Sequence, residues 1–328
     1  MSERVLVTGA GGFVCSHIVN GLLEAGYDVI ALDRAFDPTW ADRFYKWTRR
    51  LEIVQGEASR LPAVKVDALV HGVAITASPE RIGMTPEDYL RANIETTLAA
   101  TSWADRQQVP RTIMISSDAV FTQWVTDRMQ SFQPLTEENH ISPDSLFGVA
   151  KALMEQLVGV LNLNHHRRLF AVRLSNIYGP YEISRPTRPR VSRIASMIHD
   201  ALTQERVMEY VSSPPTDWTY APDIGRAIAA ILKLPDNQFL HYELLNITAG
   251  QTYTPFQVAM TIKEQLPNVE VSVPNVEHGE PLGTRILHRL PLANDRFVEA
   301  TGFTNWTSLH DGIGQTIAWM RRHLETQR

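Results

Sequence analysis

The chain has 328 residues, 44% of them hydrophobic and 20% charged. That balance excludes a disordered chain and fits about two domains, or one large one. Thirty-one basic residues against 36 acidic ones leave a net charge of −5, which argues against nucleic acid as a partner. The single cysteine, Cys15, excludes an intrachain disulfide framework and thiolate zinc sites. No run approaches the roughly 18 apolar residues of a membrane span. Met1-Ser2-Glu3-Arg4 leads straight into a strand-like run with no signal-peptide pattern. The expected location is therefore the cytoplasm, with no membrane partner.

In chain order, Arg4–Thr8 (RVLVT) reads as a strand. Gly12–Ala25 follows as a helix, with Phe13, Val14, Ile18, Val19, Leu22 and Leu23 on one stripe. Asp28–Leu32, Leu51–Val54 and Asp67–His71 are the next three strands. Pro86–Arg106 is a helix with Pro at its start, and Arg111–Ser116 is a fifth strand. Leu146–Leu163 is a long helix and Leu169–Leu174 a sixth strand. Strands alternating with helices imply right-handed parallel crossovers, and so an α/β fold of Rossmann type with a doubly wound parallel sheet. After Tyr178-Gly179-Pro180 the character changes. Residues 181–193 are rich in Pro and Arg and read as a loop. Helical pieces near 193–203, 223–234, 255–266 and 309–324 follow, with short strands between them. This divides the chain into a nucleotide-binding part, 1–178, with returns to the sheet near 205–250, and a mostly substrate-binding part, 179–328.

The first strand runs directly into Thr8-Gly9-Ala10-Gly11-Gly12-Phe13-Val14-Cys15-Ser16-His17. Glycines here permit positive φ and close backbone approach to a diphosphate, and the following helix offers unpaired N–H groups to it. Strand, turn and helix together make the glycine pattern far more specific than it is alone. Asp33 ends the second strand. A carboxylate there accepts hydrogen bonds from adenosine ribose hydroxyls and repels a 2′-phosphate, which favours NAD over NADP. Arg34 pulls the other way, because an arginine can pair with that phosphate.

Beyond this loop the chain resembles the extended short-chain dehydrogenase/reductase family, the NAD-dependent sugar epimerases and dehydratases, over about residues 3–324. The loop matches at Gly9 and Gly12, with Cys15 where the family has its third glycine. The resemblance implies NAD as cofactor, held by Gly9, Gly12, Phe13, Val14, Asp33 and Arg34. It also implies Glu57 and Ala58 near the adenine and Gly72, Val73 and Ala74 beneath the cofactor, with Asn93 on its helix and Lys151. Arg173, the stretch Asn176–Pro180 (NIYGP), the stretch Thr216–Asp223 (TDWTYAPD) and Thr301-Gly302-Phe303 through Trp319 extend the match. Family members pair two helices of each subunit into a four-helix bundle, so a homodimer is the expected assembly if the helices 86–106 and 146–164 expose apolar faces.

The family's catalytic residues are Ser/Thr, Tyr and Lys, the last two four apart on one helix face. In that scheme the lysine binds the nicotinamide ribose and lowers the tyrosine pKa, and the serine holds the substrate oxygen. Here Ile115–Phe121 (ISSDAVF) supplies Ser117, and Phe147-Gly148-Val149-Ala150-Lys151 supplies the lysine with Phe147 at the tyrosine position. Losing a positioned acid/base costs about 10² to 10⁴ in rate. Two explanations stand: a deliberate Tyr→Phe change that traps a complex, or a natural member with weak or different chemistry. Tyr178, Tyr181 and His140 are the nearby candidates to replace the phenol.

The family's dehydratases carry Asp-Glu after the Ser/Thr. Here Asp118 is followed by Ala119, which disfavours elimination and leaves oxidation/reduction or epimerisation through a ketone. The arginine that often grips a nucleotide diphosphate is replaced by Thr216, and Arg285 is a looser match. Arg185, Arg188, Arg190 and Arg193 cluster after Gly179-Pro180, and an arginine fork suits a carboxylate or phosphate. The alternative for that cluster is a solvated basic loop. The substrate site read from sequence is thus Ser117, Asp118, Asn176, Arg185, Arg188, Arg190 and Arg285, for a sugar or sugar derivative that is either a nucleotide sugar or a sugar acid. The histidines offer no metal-ligand spacing. The reading of a different class is a NAD-binding sensor or structural protein without turnover.

Overall fold

The computed structural model describes residues 2–121, 133–165, 168–209, 215–236, 243–273 and 290–326. Its centre is a seven-stranded parallel sheet. Strands β1 (Arg4–Thr8), β2 (Asp28–Asp33), β3 (Leu51–Gln55), β4 (Ala68–His71), β5 (Arg111–Ser117), β6 (Leu169–Leu174) and β10 (Leu244–Ile247) lie in the order β10-β6-β5-β4-β1-β2-β3. The inner strands are apolar without alternation because both faces are covered. The six strands read from sequence are all present, with ends shifted by at most one residue. The seventh comes from late in the chain and pairs with β6.

Helices α1 (Phe13–Glu24) and α6 (Ala221–Leu232) cover one face, forming one core with Val5, Val7, Val29, Val70, Ile113 and Val172. Helices α3 (Pro86–Arg106) and α4 (Leu146–His165) cover the other, over Leu6, Ile30, Leu69, Met114 and Ala171. A short α2 (Pro79–Ile82) precedes α3. The first face depends on a close helix crossing. A Cβ on Gly225 would lie 2.2 Å from the His17 carbonyl oxygen, and one on Gly21 would lie 2.3 Å from the Gly225 carbonyl carbon. Only hydrogen fits at either position.

The stretch Leu146–Leu163 of α4 is long and apolar enough to cross a membrane on length and composition, which the sequence reading did not expect. In the fold its Ala150, Lys151, Met154 and Val158 are buried, while Leu153, Val160 and Leu163 are exposed.

A second core is built from β7 onward. Strand β7 (Asn176–Tyr178) pairs in parallel with β9 (Thr216–Tyr220), which pairs antiparallel with β11 (Thr252–Tyr253). Strands β8 (Arg206–Met208) and β12 (Glu270–Ser272) pair in parallel. Helices α5 (Arg193–Gln204), α7 (Pro255–Gln265) and α9 (Leu309–Thr326) close over them with Ile194, Ile198, Val258, Ile262, Ile313 and Ile317. Helix α8 (Asp295–Thr301) packs Phe297 into the first core instead.

Because the α1–α6 crossing leaves no room at Gly225, Gly225→Ala forces the helices apart. Overpacking of this kind costs about 1–3 kcal/mol, so scanning calorimetry should show the melting temperature fall by a few degrees. An unchanged melting temperature would contradict the crossing.

Candidate active site

Strand order reverses between β1 and β4, and a parallel sheet offers a crevice at the carboxyl ends of its strands at such a point. The glycine turn after β1 lies there. Gly9 has φ +74°, and a Cβ on it would lie 3.0 Å from the Val73 amide. The turn therefore packs backbone to backbone on Gly72 and Val73, which follow β4. The Gly12 amide donates to the Gly9 carbonyl at 2.9 Å, and Gly12 caps α1 without any side chain. The first-turn amides of Phe13 and Val14 thus meet no capping side chain, and they supply the positive end of the helix dipole.

Cys15 replaces the family's small glycine without loss of packing. A Cβ on Gly72 would lie 2.1 Å from the Cys15 Sγ, so the thiol fills the space that Gly72 leaves. Burial pushes that thiol up to about 12, so Cys15 is packing rather than a nucleophile.

Asp33 reaches back to the turn. Its carboxylate accepts from the Gly11 amide at 3.0 Å and the Ala35 amide at 3.3 Å. Burial raises its pKa, opposed by those amides. Arg34 and Glu57 are exposed, and Ala58 is buried beneath them. Asn93, buried on α3, accepts from the Ile75 amide at 2.9 Å through Oδ1. That bond fixes the segment Gly72–Ala74 along the crevice. Beneath it, His71 is buried with Nδ1 2.8 Å from the Thr8 hydroxyl.

The catalytic candidates meet at the end of β5. Ser145 caps α4, its hydroxyl accepting from the Gly148 amide at 3.1 Å. Gly148 lets the helix start touch the turn Asp118–Val120, since a Cβ there would lie 2.1 Å from the Ala119 carbonyl oxygen. Phe147, Lys151 and Glu155 then follow at i, i+4 and i+8 along the face toward β5. The Lys151 ammonium is buried, donates to the Ile115 carbonyl at 2.6 Å, and sits 5.7 Å from the centre of the Phe147 ring. Burial lowers its pKa to about 8, with Glu155 opposing. Ser117 donates to the Asp118 carboxylate at 3.0 Å and accepts from the Ala119 amide at 3.2 Å.

Glu155 was not singled out from sequence, although it lies one further turn along the lysine's face. It accepts from Ser116 Oγ at 2.6 Å and from Arg173 at 2.9 and 2.7 Å, and both charged groups are buried. Breaking a buried pair leaves an uncompensated charge, so this bridge fixes the spacing of α4, β5 and β6 behind the lysine.

The tyrosines weighed as replacements for the phenol lie elsewhere. Tyr178 is buried against Tyr220, 5.6 Å between ring centres, and against Gly312 in the second core. Tyr181 carries the Arg43 guanidinium 3.6 Å above its ring and meets Trp319. His140 is exposed.

Asn176 opens β7 and is partly exposed. Among the arginines, Arg188 is bonded to Glu182 with its guanidinium 4.9 Å above the Phe13 ring, and Arg185 pairs with it through the backbone. Arg188 thus lies against the first residue of α1, and Arg185 near Asp33. Arg190 is exposed, Arg193 pairs with Glu209, and Arg285 lies outside the described residues. Arg43, which no sequence motif marked, donates to Ser16 Oγ at 2.9 Å on the first turns of α1. Among the described residues no group of three or more His, Cys, Asp or Glu is placed to hold a metal ion.

The model of the NAD dependent epimerase/dehydratase family matches residues 5–247. The chain belongs to this family. It is 24% identical over 334 residues to the dTDP-glucose 4,6-dehydratase of Streptomyces griseus, covering 98% of this chain and 95% of that one. It is 26% identical over 185 residues to the UDP-glucose 4-epimerase of Azospirillum brasilense, covering 54% and 50%. The UDP-glucose 4-epimerase of Thermotoga maritima, solved with UDP-glucose, superposes with a TM-score of 0.78 at 20% identity, covering 98% and 99%. MoeE5 in complex with UDP-glucuronic acid and NAD superposes at 0.76 with 24% identity over the same shares. The family's cofactor is NAD, and the site fits it. The glycine turn is a cradle that a Cβ would fill at Gly9, the α1 start is free of side-chain caps, and Asp33 stands at the end of β2.

The buried ammonium makes stability depend on pH. An ordinary lysine titrates near 10.5, and Lys151 titrates at about 8. Between those values the unfolded chain binds the extra proton, so this group adds stability as pH rises through the window. Denaturant midpoints of ligand-free protein at pH 7.5 and pH 10 should show wild type gaining on the order of 2 kcal/mol relative to Lys151→Met. A difference between the two proteins that does not change with pH would contradict the burial of a charged lysine.

Proposed function

We propose that the chain is an NAD-dependent enzyme acting on a sugar nucleotide or related sugar derivative, by oxidation and reduction of a hydroxyl or by epimerisation through a ketone. The observation that carries this reading is that Lys151 is bonded to β5 at Ile115, two residues before Ser117, with the Phe147 ring 5.7 Å from its ammonium, beside the switch-point crevice.

In this reading Gly9, Gly12 and the Phe13 and Val14 amides hold the diphosphate of NAD, and Asp33 takes the adenosine ribose. Asn93 keeps Gly72–Ala74 in place beneath it, and Glu57 and Ala58 border the adenine. Bound NAD supplies the hydride acceptor and donor. Ser117, already oriented by Asp118 and the Ala119 amide, holds the reacting hydroxyl. Lys151 holds the nicotinamide ribose and places a positive charge beside the reacting oxygen. Asn176, at the start of β7, borders the substrate mouth. Ala119 carries no carboxylate where eliminating relatives of the resemblance carry glutamate, which favours oxidation or epimerisation over loss of water.

Phe147 keeps a ring wall in the pocket and has no proton to exchange. It favours a second reading, a NAD-bound protein without turnover. Phe147→Tyr separates the two. The enzyme reading predicts a gain of about 10² to 10⁴ in substrate-dependent NADH formation or sugar inversion across a panel of UDP- and dTDP-sugars and sugar acids. No gain on any of them, with NAD bound, supports the second reading.

We also propose a homodimer through α3 and α4, whose outer faces expose Leu98, Leu153, Val160 and Leu163. Sedimentation should give twice the chain mass, and Leu153→Glu together with Leu163→Glu should give a folded monomer. A wild-type monomer would contradict the pairing.

A further inference from the structure

The loop read beyond Gly179-Pro180 has a defined structure. Arg185 and Arg188 exchange backbone hydrogen bonds of 3.0 and 2.9 Å, which closes a tight hairpin. Its tip is pinned on one wall of the crevice, where the Thr187 carbonyl accepts from the Thr76 and Ala77 amides, both at 3.1 Å. Its base is pinned on the other wall, where His17 Nε2 on α1 donates to the Pro180 carbonyl at 2.9 Å. Pro186 and Pro189 stiffen it by fixing φ. The hairpin therefore runs from the segment after β4 to the first turns of α1, and meets Phe13 next to the turn assigned to the diphosphate.

One side chain in it is held with unusual care. Glu182 is buried, and its carboxylate accepts from the Ser192 amide at 2.8 Å, from Ser192 Oγ at 2.6 Å and from Arg188 Nη2. Burial raises its pKa against the pull of Arg188 and Ser192. This grip leaves the Arg188 side chain 29% exposed and sets its guanidinium 4.9 Å above the ring of Phe13, the first residue of α1. A guanidinium has five N–H donors in a planar fork, and Glu182 engages the Nη2 corner. Arg185 is close enough to Asp33 for its charge to favour the carboxylate. Arg43 on Ser16 adds a third guanidinium beside the same turn.

We propose that the hairpin of residues 182–190 is a strap over the cofactor, in which Arg188, positioned by Glu182 and Phe13, pairs with the diphosphate of the bound dinucleotide. This assigns Arg188 to the cofactor and not to the substrate, as the sequence cluster alone suggested. It rests on the cofactor reading given above. The strap lies across the exit path of the dinucleotide, so the cofactor dissociates slowly and stays with the protein through purification.

Calorimetry with NAD, ADP-ribose and adenosine tests it. Arg188→Ala is expected to weaken NAD and ADP-ribose at least tenfold and to leave adenosine unchanged, because adenosine carries no phosphate. Arg193→Ala, whose guanidinium is on Glu209, is the control and should bind all three as wild type does. Equal affinity of folded Arg188→Ala and wild type for ADP-ribose would overturn the strap while leaving the cofactor reading intact. Failure of wild type to bind NAD or ADP-ribose would overturn both. Should Arg188→Ala not fold, limited trypsinolysis of wild type decides. Arg185 and Arg188 precede prolines, so Arg190–Val191 is the cleavable bond of the hairpin. NAD should slow its cleavage at least tenfold, and cleavage at the same rate with and without NAD would overturn the strap.

Discussion

The Lys151 ammonium is buried between α4 and β5, and the Ile115 carbonyl at the end of β5 is the acceptor that makes its burial tolerable. An ammonium without a partner in that place would be neutral or would unfold the helix contact. The rest of the crevice is arranged around this one bond. Gly148 brings the helix start against Ala119, Ser145 caps it, and Glu155 one turn beyond the lysine ties the helix to Ser116 and Arg173. The consequence is a fixed distance between a cation on a helix and a hydroxyl, Ser117, on the adjacent strand end.

The glycine turn is the second fixed element, and it is coupled to the first through β4. Gly9 packs on Val73, Cys15 fills the space beside Gly72, and Asn93 clamps Ile75. The glycine turn and the lysine therefore share one floor, the segment after β4. The departure at Cys15 is absorbed locally, because the larger residue on α1 faces a residue without a side chain. Phe147 is a departure of another kind. It places a ring with no ionisable oxygen 5.7 Å from the Lys151 ammonium, where the resemblance has tyrosine.

Much of this was legible in the sequence because it rests on local periodicity and on one short motif. The strands of the main sheet read as apolar runs since both faces are covered, and the glycine turn stands between the first strand and its helix. Ser117 and Lys151 were read from the family resemblance, at the positions where its serine and lysine stand. What the sequence could not give depends on contacts distant in the chain. The Glu182–Arg188 bridge acquires meaning only when Thr187 is seen on Thr76 and Ala77, more than a hundred residues earlier. Arg43 lies in a segment without helix or strand periodicity, and it is held by Tyr181 and Ser16. Tyr178 was a reasonable replacement for the phenol by proximity in sequence, but β7 carries it into the second core. Which apolar positions of α4 face outward could not be read from its sequence, because a helix on a sheet buries one stripe only, and the fold leaves Leu153, Val160 and Leu163 exposed.

The central claim is that one crevice brings a nicotinamide ring to Ser117 and Lys151. A crystal structure of the chain grown with NAD tests it most directly. The diphosphate is expected on the amides of Gly12–Val14, the nicotinamide ribose hydroxyls within hydrogen-bond distance of Lys151 Nζ, and the ring facing Ser117 and Phe147. A crevice filled by side chains in the presence of saturating NAD, or a dinucleotide whose nicotinamide lies at Asp33, would contradict it.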